Sequence, residues 1–216
     1  MTAVSTRIAM DTSHALMDAK PLHDDLADAL ARDGYAIRTA ALPEALTLAL
    51  LADTLALEDR SFQPAGIGRG AAFQRDRRVR SDQIHWLSPE RSAPRVYLEW
   101  AESLRQALNE RLFLGLFDYE CHYARYAKGA AYARHLDAFR GAANRVLTTV
   151  LYLNPDWQSD DGGQLLIYDG DVAEPTLSVT PTLGTLVLFL SERFPHEVKA
   201  ARRCRYSIAG WFRRRG

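Results

Sequence analysis

His135-Leu136-Asp137 places an imidazole and a carboxylate two positions apart. In a strand, residues i and i+2 face the same side, so both groups can converge on one ion. With six histidines in the chain, an accidental His-x-Asp is expected, and a surface histidine beside a turn aspartate is the alternative reading. His196 follows Pro195 and opens another strand-like run, adding a third donor. Two histidines and one carboxylate form a facial triad, a set that leaves coordination positions open and suits non-haem Fe(II). Two open positions would take a chelating co-substrate and one would take dioxygen. A structural zinc site would close with four protein ligands, often cysteines, and neither Cys121 nor Cys204 is placed to help.

Arg205 stands nine residues beyond His196, in the run RYSIAGWF. A guanidinium binds a carboxylate through two parallel hydrogen bonds. An inward Arg in an apolar strand needs an anion, because a buried lone charge is costly. The far carboxylate of 2-oxoglutarate would serve, and a buried structural salt bridge is the alternative.

Around these residues the chain is that of an ordinary globular protein: 216 residues, 47% hydrophobic and 25% charged, with zero formal net charge. Length allows one domain that folds without staples. The charge is uneven. Five arginines accompany Asp76 between Arg69 and Arg80, seven basic residues and no acid follow from Lys199, and Asp24, Asp25 and Asp28 are acidic. These are solvated faces or a basic rim that attracts an anionic or protein partner. Two cysteines without redox spacing point to a reducing, cytoplasmic setting. There is no 18-residue apolar run and no signal-peptide core, so no membrane association is expected.

The elements that must position the site follow from periodicity. Residues 1–20 read as a loose lead-in, and 21–114 as helical support. Helices are expected over Leu22–Arg32, stopped by Gly34; over Glu44–Leu57 after Pro43; and from Ser88 or Pro94 to Phe113. Tyr35–Thr39 reads as a strand. Phe62–Arg80, with Pro64, Gly66, Gly68 and Gly70, reads as a long loop. After Gly115, eight short runs are strand-biased: Phe117–Tyr126, Ala131–Leu136, Arg145–Leu153, Gln164–Tyr168, Thr176–Val179, Thr185–Leu190, His196–Lys199 and Arg205–Phe212. The expected fold is α+β: a double-stranded β-helix, or jelly roll, of about eight strands over 115–212, braced by N-terminal helices.

With these runs in hand, the sequence resembles the prolyl hydroxylase domain family that modifies hypoxia-inducible factor, with its bacterial relatives. RVRSDQIHWL, YARYAKGAAYARHLDAF, TTVLYLNPDW, GGQLLIYDG, RFPHEV and RYSIAGWF occur in family order. The resemblance implies an Fe(II)- and 2-oxoglutarate-dependent dioxygenase, with ascorbate as a possible reductant and oxygen sensing as an open role. It implies His135, Asp137 and His196 as iron ligands, and Arg205 and Tyr152 on the distal carboxylate of 2-oxoglutarate. It implies Tyr126 near the co-substrate and Trp211 on the pocket wall; core packing is the alternative for each aromatic. The loop near 62–82 matches a mobile substrate lid, with Arg80 and Asp82 contacting substrate; a disordered surface loop is the alternative. Two departures stand out. Ala209 occupies a position often threonine in the family. RRRG follows the last strand where family members can carry a longer C-terminal element, so substrate capture is expected to differ.

The implied reaction is hydroxylation of a prolyl residue, at C4, in a loop of a protein such as a translation elongation factor, with 2-oxoglutarate yielding succinate and CO2. The rivals are an oxygenase acting on free proline or another small molecule, and a metal-binding jelly-roll sensor without turnover. Nucleic-acid dealkylases usually add a second arginine six residues after the first. Trp211 stands there, so a nucleic-acid partner is not expected.

Overall fold

The computed structural model describes residues 19–66, 76, 78–138 and 144–215. The lead-in through residue 18, together with Gly68, Gly70, Arg69, Arg75 and Arg77 of the expected lid, lies outside the described residues.

Helix α1, Lys20–Asp33, begins with Pro21 in its first turn and ends at Gly34, whose φ of 82° lets its N–H reach back to the Leu30 carbonyl. Proline entry and left-handed glycine exit are the residues' natural roles. It buries His23, Leu26, Ala27 and Leu30 along one stripe. Helix α2, Glu44–Leu55, starts after Pro43. Helix α3, Ser92–Leu112, buries Tyr97, Trp100, Ala101, Leu104 and Leu108 at helical spacing, while Val96 and Ala107 of the expected face are only partly covered. It stops at Phe113, which takes the left-handed conformation itself at φ 52°.

Every strand pairing is antiparallel. The expected strands form as β1 Tyr35–Arg38, β4 Asp118–Tyr126, β5 Tyr132–His135, β6 Arg145–Tyr152, β7 Leu165–Ile167, β8 Leu177–Val179, β9 Leu186–Leu190, β10 His196–Val198 and β11 Arg205–Arg213. Two more, β2 Gln63–Pro64 and β3 Gln83–Trp86, form where only a loop and its flank were expected. QIHW carries one aliphatic residue and weak alternation. It becomes a strand by borrowing the free edge of β4, with Gln83 opposite Arg125 and Trp86 opposite His122.

The large sheet runs β1-β9-β6-β11-β4-β3-β2 and the small sheet β5-β10-β7-β8. The eight strands β4–β11 thus divide four and four between the two sheets of the jelly roll, and β1, β2 and β3 extend the large one at its edges. Strand alternation divides the large sheet's faces. Cys121, Tyr123, Leu147, Leu151, Leu186, Leu188, Ile208 and Phe212 pack with the helices. Ala124, Tyr126, Val150, Tyr152, Val187 and Phe189 face the small sheet and meet its Leu165, Ile167, Val179 and Val198.

Under the helices, a chain of hydroxyls joins Tyr97 to Tyr119 at 2.9 Å and Tyr119 to Thr149 at 2.7 Å. It lies over Gly210, where a Cβ would collide with the Tyr119 hydroxyl and stand 2.7 Å from the Cys121 Cβ. Gly210→Ala is therefore expected to destabilise the fold by about 1–3 kcal/mol through overpacking, read as a lower urea midpoint at unchanged slope.

Candidate metal centre

His135 ends β5, Asp137 follows it, and His196 opens β10, whose Cα lies opposite that of His135. The pairing of β5 with β10 therefore unites ligands about 60 residues apart in sequence. The donor atoms of His135, Asp137 and His196 all lie within 4.8 Å of one another, and they form the one such group among the described residues.

Backbone carbonyls orient both rings. His135 Nδ1 is 2.8 Å from the Ala133 carbonyl oxygen, and His196 Nδ1 is 3.0 Å from that of Phe194. A carbonyl only accepts, so each Nδ1 carries the proton and each Nε2 presents a lone pair. Those Nε2 atoms face the Asp137 carboxylate at 3.6 and 3.5 Å. Lone pairs aimed at a carboxylate repel unless a cation lies between them, so the donor set fits a divalent metal. Burial draws the His196 imidazole down to about 4, aided by neighbouring His135 and opposed by Asp137. Burial alone would raise the Asp137 carboxyl, but His196 and His135 outweigh it and hold it well below the usual carboxylate range. At neutral pH His196 is thus a neutral imidazole and Asp137 an anion, the states that ligate metals. The His135 ring stacks on Tyr132 at 3.5 Å, and the His196 ring meets Phe189 edge-on at 4.8 Å.

Farther along the same inner face lies Arg205, 1% exposed. Its guanidinium carbon is 4.9 Å from the ring centres of both Tyr126 and Tyr152. Its Nη1 reaches Ser207 Oγ at 3.4 Å, its Nε has no hydrogen-bond partner, and the Tyr152 hydroxyl beside it has none either. Among the described residues no carboxylate pairs with Arg205. A buried cation without a counter-ion costs several kcal/mol, so this pocket is built for an anion. Burial, countered by Arg205, pushes the Tyr152 phenol up to about 12, keeping it a neutral donor. Trp211 shares this face, its indole N–H helping to hold the Asp137 carboxyl low, and the Arg145 guanidinium covers its ring at 3.5 Å.

The profile of the 2OG-Fe(II) oxygenase superfamily matches residues 121–213, the stretch that holds all of these groups. A crystal structure of a Pseudomonas putida prolyl-4-hydroxylase is 42% identical, covering 90% of this chain and 100% of that one, with a TM-score of 0.81. This chain belongs to the 2OG-Fe(II) oxygenase superfamily. A Trichoplax adhaerens prolyl hydroxylase, solved with a hypoxia-inducible-factor peptide fragment, is 28% identical over 92% of this chain and 91% of that one, with a TM-score of 0.79. Egl nine homolog 1 of Rattus norvegicus is 37% identical over 86 residues, 39% of this chain and 25% of its own length. The Caenorhabditis elegans hypoxia-inducible factor prolyl hydroxylase is 28% identical over 149 residues, 62% of this chain and 20% of its own length. The chain thus spans a quarter or less of these curated relatives. Oxygenases of this superfamily require Fe(II) and 2-oxoglutarate, and the triad and the arginine pocket fit one each.

Arg80 and Asp82 meet each other rather than open space. Arg80 Nε is 2.7 Å from Asp82 Oδ1, Asp82 is buried, and the Arg80 guanidinium lies 4.7 Å over the Tyr132 ring that stacks on His135. Thr148, whose hydroxyl donates to Asp137 Oδ2 at 2.7 Å, was not singled out from sequence. Its signal was there: it shares the Tyr152 face of TTVLY by parity.

Gly163, at φ 69°, lies against the stem of Arg205; a Cβ there would stand 3.1 Å from Arg205 Cδ and 3.2 Å from the Trp157 ring. Gly163→Ala is expected to displace the guanidinium and weaken 2-oxoglutarate binding about tenfold, in line with about 1.4 kcal/mol per decade, while metal affinity holds. Calorimetric titrations of each ligand would separate the two.

Proposed function

We propose that this oxygenase hydroxylates a prolyl residue, at C4, in a loop of a protein substrate. The observation that carries the proposal is the pairing of a complete His-Asp-His triad with a buried arginine lacking any carboxylate partner among the described residues. The likeness to prolyl hydroxylases over nearly the whole chain supports the prolyl target. A translation elongation factor is the first protein to try, on family resemblance alone.

Each residue's part follows from its geometry. His135, Asp137 and His196 would hold Fe(II), which when bound supplies the oxidative chemistry of dioxygen with 2-oxoglutarate. Arg205 would take the distal carboxylate of 2-oxoglutarate, with the Tyr152 phenol adding a neutral hydrogen bond. Thr148 touches Asp137 and Tyr152 sits beside Arg205; they are four residues apart on one face of β6, about 13 Å along the strand. That span suits a short dicarboxylate held by the metal at one end and the guanidinium at the other. Tyr126 would wall the co-substrate pocket, and Trp211 would line its metal end. Arg80 and Asp82, bound to each other, would act at the substrate side by bracing Tyr132 and the strand edge beneath the loop. Two unpaired cysteines suit a reducing compartment. No helix among the described residues is long and apolar enough to cross a membrane.

The test is anaerobic titration of the Fe(II)-loaded protein with 2-oxoglutarate, followed by aerobic turnover on proline-bearing peptides and mass spectrometry. Wild type is expected to show a visible charge-transfer band and to add one oxygen to a peptide proline. Arg205→Ala should weaken the co-substrate by about 10- to 150-fold, the worth of a charged hydrogen bond of about 1.5–3 kcal/mol. His196→Ala should abolish the band. A band with oxidation of free proline but of no peptide would replace the protein substrate with a small molecule. No band in the metal-loaded protein would leave a non-catalytic metal-binding jelly roll.

A further inference from the structure

Behind the metal centre, two hydroxyls that the triad does not explain form a directed chain. Thr148, on the inner face of β6, places Oγ1 2.7 Å from Asp137 Oδ2 and 2.9 Å from Ser191 Oγ. Thr148 is 2% exposed and Ser191 0%. The proton positions follow from the chemistry of the partners. Ionised Asp137 only accepts, so the single Thr148 proton must go to it. Thr148 then has only lone pairs to offer Ser191, so Ser191 must donate. The chain runs one way: Ser191 O–H to Thr148, Thr148 O–H to Asp137. Ser191 is itself pinned, because its backbone N–H donates to the Val146 carbonyl at 3.0 Å, two residues before Thr148.

We propose that Thr148, oriented by Ser191, is a positioning residue: it holds Asp137 Oδ2, which lies 3.5 Å from His196 Nε2, and leaves Oδ1, 3.6 Å from His135 Nε2 and free of the hydroxyl, as the oxygen that ligates the metal. A carboxylate can ligate through one oxygen or two. A short charge-assisted hydrogen bond to Oδ2 fixes the plane of the group and preorganises Oδ1 for the metal. Single-oxygen ligation keeps three positions open on an octahedral ion, as a chelating co-substrate and dioxygen together demand. If Asp137 swung to bind through both oxygens, one of those positions would be lost. The inference rests on the metal-centre reading and adds to it a control on coordination number.

The experiment uses Co(II), whose visible ligand-field bands report coordination directly and need no turnover. Wild type, Thr148→Val, Thr148→Ser and Ser191→Ala are titrated, and the melting temperature of each metal-free protein is recorded. Thr148→Val keeps the shape and removes the donor. It is expected to bind Co(II) about 10- to 100-fold more weakly, the usual cost of losing an outer-shell partner, and to shift the bands. Thr148→Ser restores both, and Ser191→Ala has a smaller effect of the same sign. Co(II) affinity and bands in Thr148→Val matching wild type would overturn the proposal. Should Thr148→Val fail to fold, Ser191→Ala with unchanged affinity and spectrum would overturn it instead. A wild type that binds no Co(II) would overturn the metal-centre reading and this inference with it, an outcome distinct from either.

Discussion

The ladder joining β4, β11 and β6 is the constraint on which the site depends. Its register sets Arg205 opposite Tyr126, Ser207 opposite Tyr152, and Trp211 opposite Thr148. Because side chains alternate, a slip of one residue would turn Arg205 into the helix-packed core and bring Ile208 and Phe212 to the co-substrate face. The apolar set beneath the helices, Leu147, Leu151, Ile208 and Phe212, thus fixes the register for both faces at once. Packing on one side of a sheet specifies chemistry on the other.

Among the described residues, buried polar atoms without a hydrogen bond occur on both sides of the large sheet, with His23 Nε2 and Trp100 Nε1 in the helices and others on the inner face. The hydroxyl of Tyr152 and the Nε of Arg205 lie on the inner face without a hydrogen bond. Each costs free energy in the fold, and together they outline a space whose natural content is polar and anionic. The sheet's own helix-facing polar side chains are paired instead. Tyr97, Tyr119 and Thr149 satisfy one another, and Tyr123 donates to Asp53. The same sheet is closed chemically on one face and left open to a ligand on the other.

Much of this could be read from the residues in order. The eight strands of the jelly roll came from alternation and turn residues, and the donor set from residue types and spacing. What resisted was whatever depends on a partner strand. Gln83–Trp86 is a strand only because β4 offers it an edge. Thr148 in β6 and Ser191 in the turn after β9 carry no signal until tertiary packing brings Asp137 within reach. Arg80 and Asp82, given a substrate contact by the resemblance, also pair with each other against Tyr132, which no local pattern announces. Contacts between elements distant in sequence carry no local signature.

The two halves of the site also differ in how they are held. Arg205, Tyr126 and Tyr152 sit on long strands of eight or nine residues at the centre of a sheet braced by helices. His135 and His196 sit on strands of four and three residues in the small sheet, and Asp137 lies just beyond its strand. The co-substrate end is therefore rigid by construction, and the metal end depends more on individual contacts. Carbonyls fix the two imidazoles, a tyrosine stacks on one of them, and Thr148 reaches across from the large sheet to the carboxylate. A ligand that bridges metal and arginine would join the two sheets through itself. Binding free energy would then contribute to the cohesion of the sandwich as well as to the chemistry.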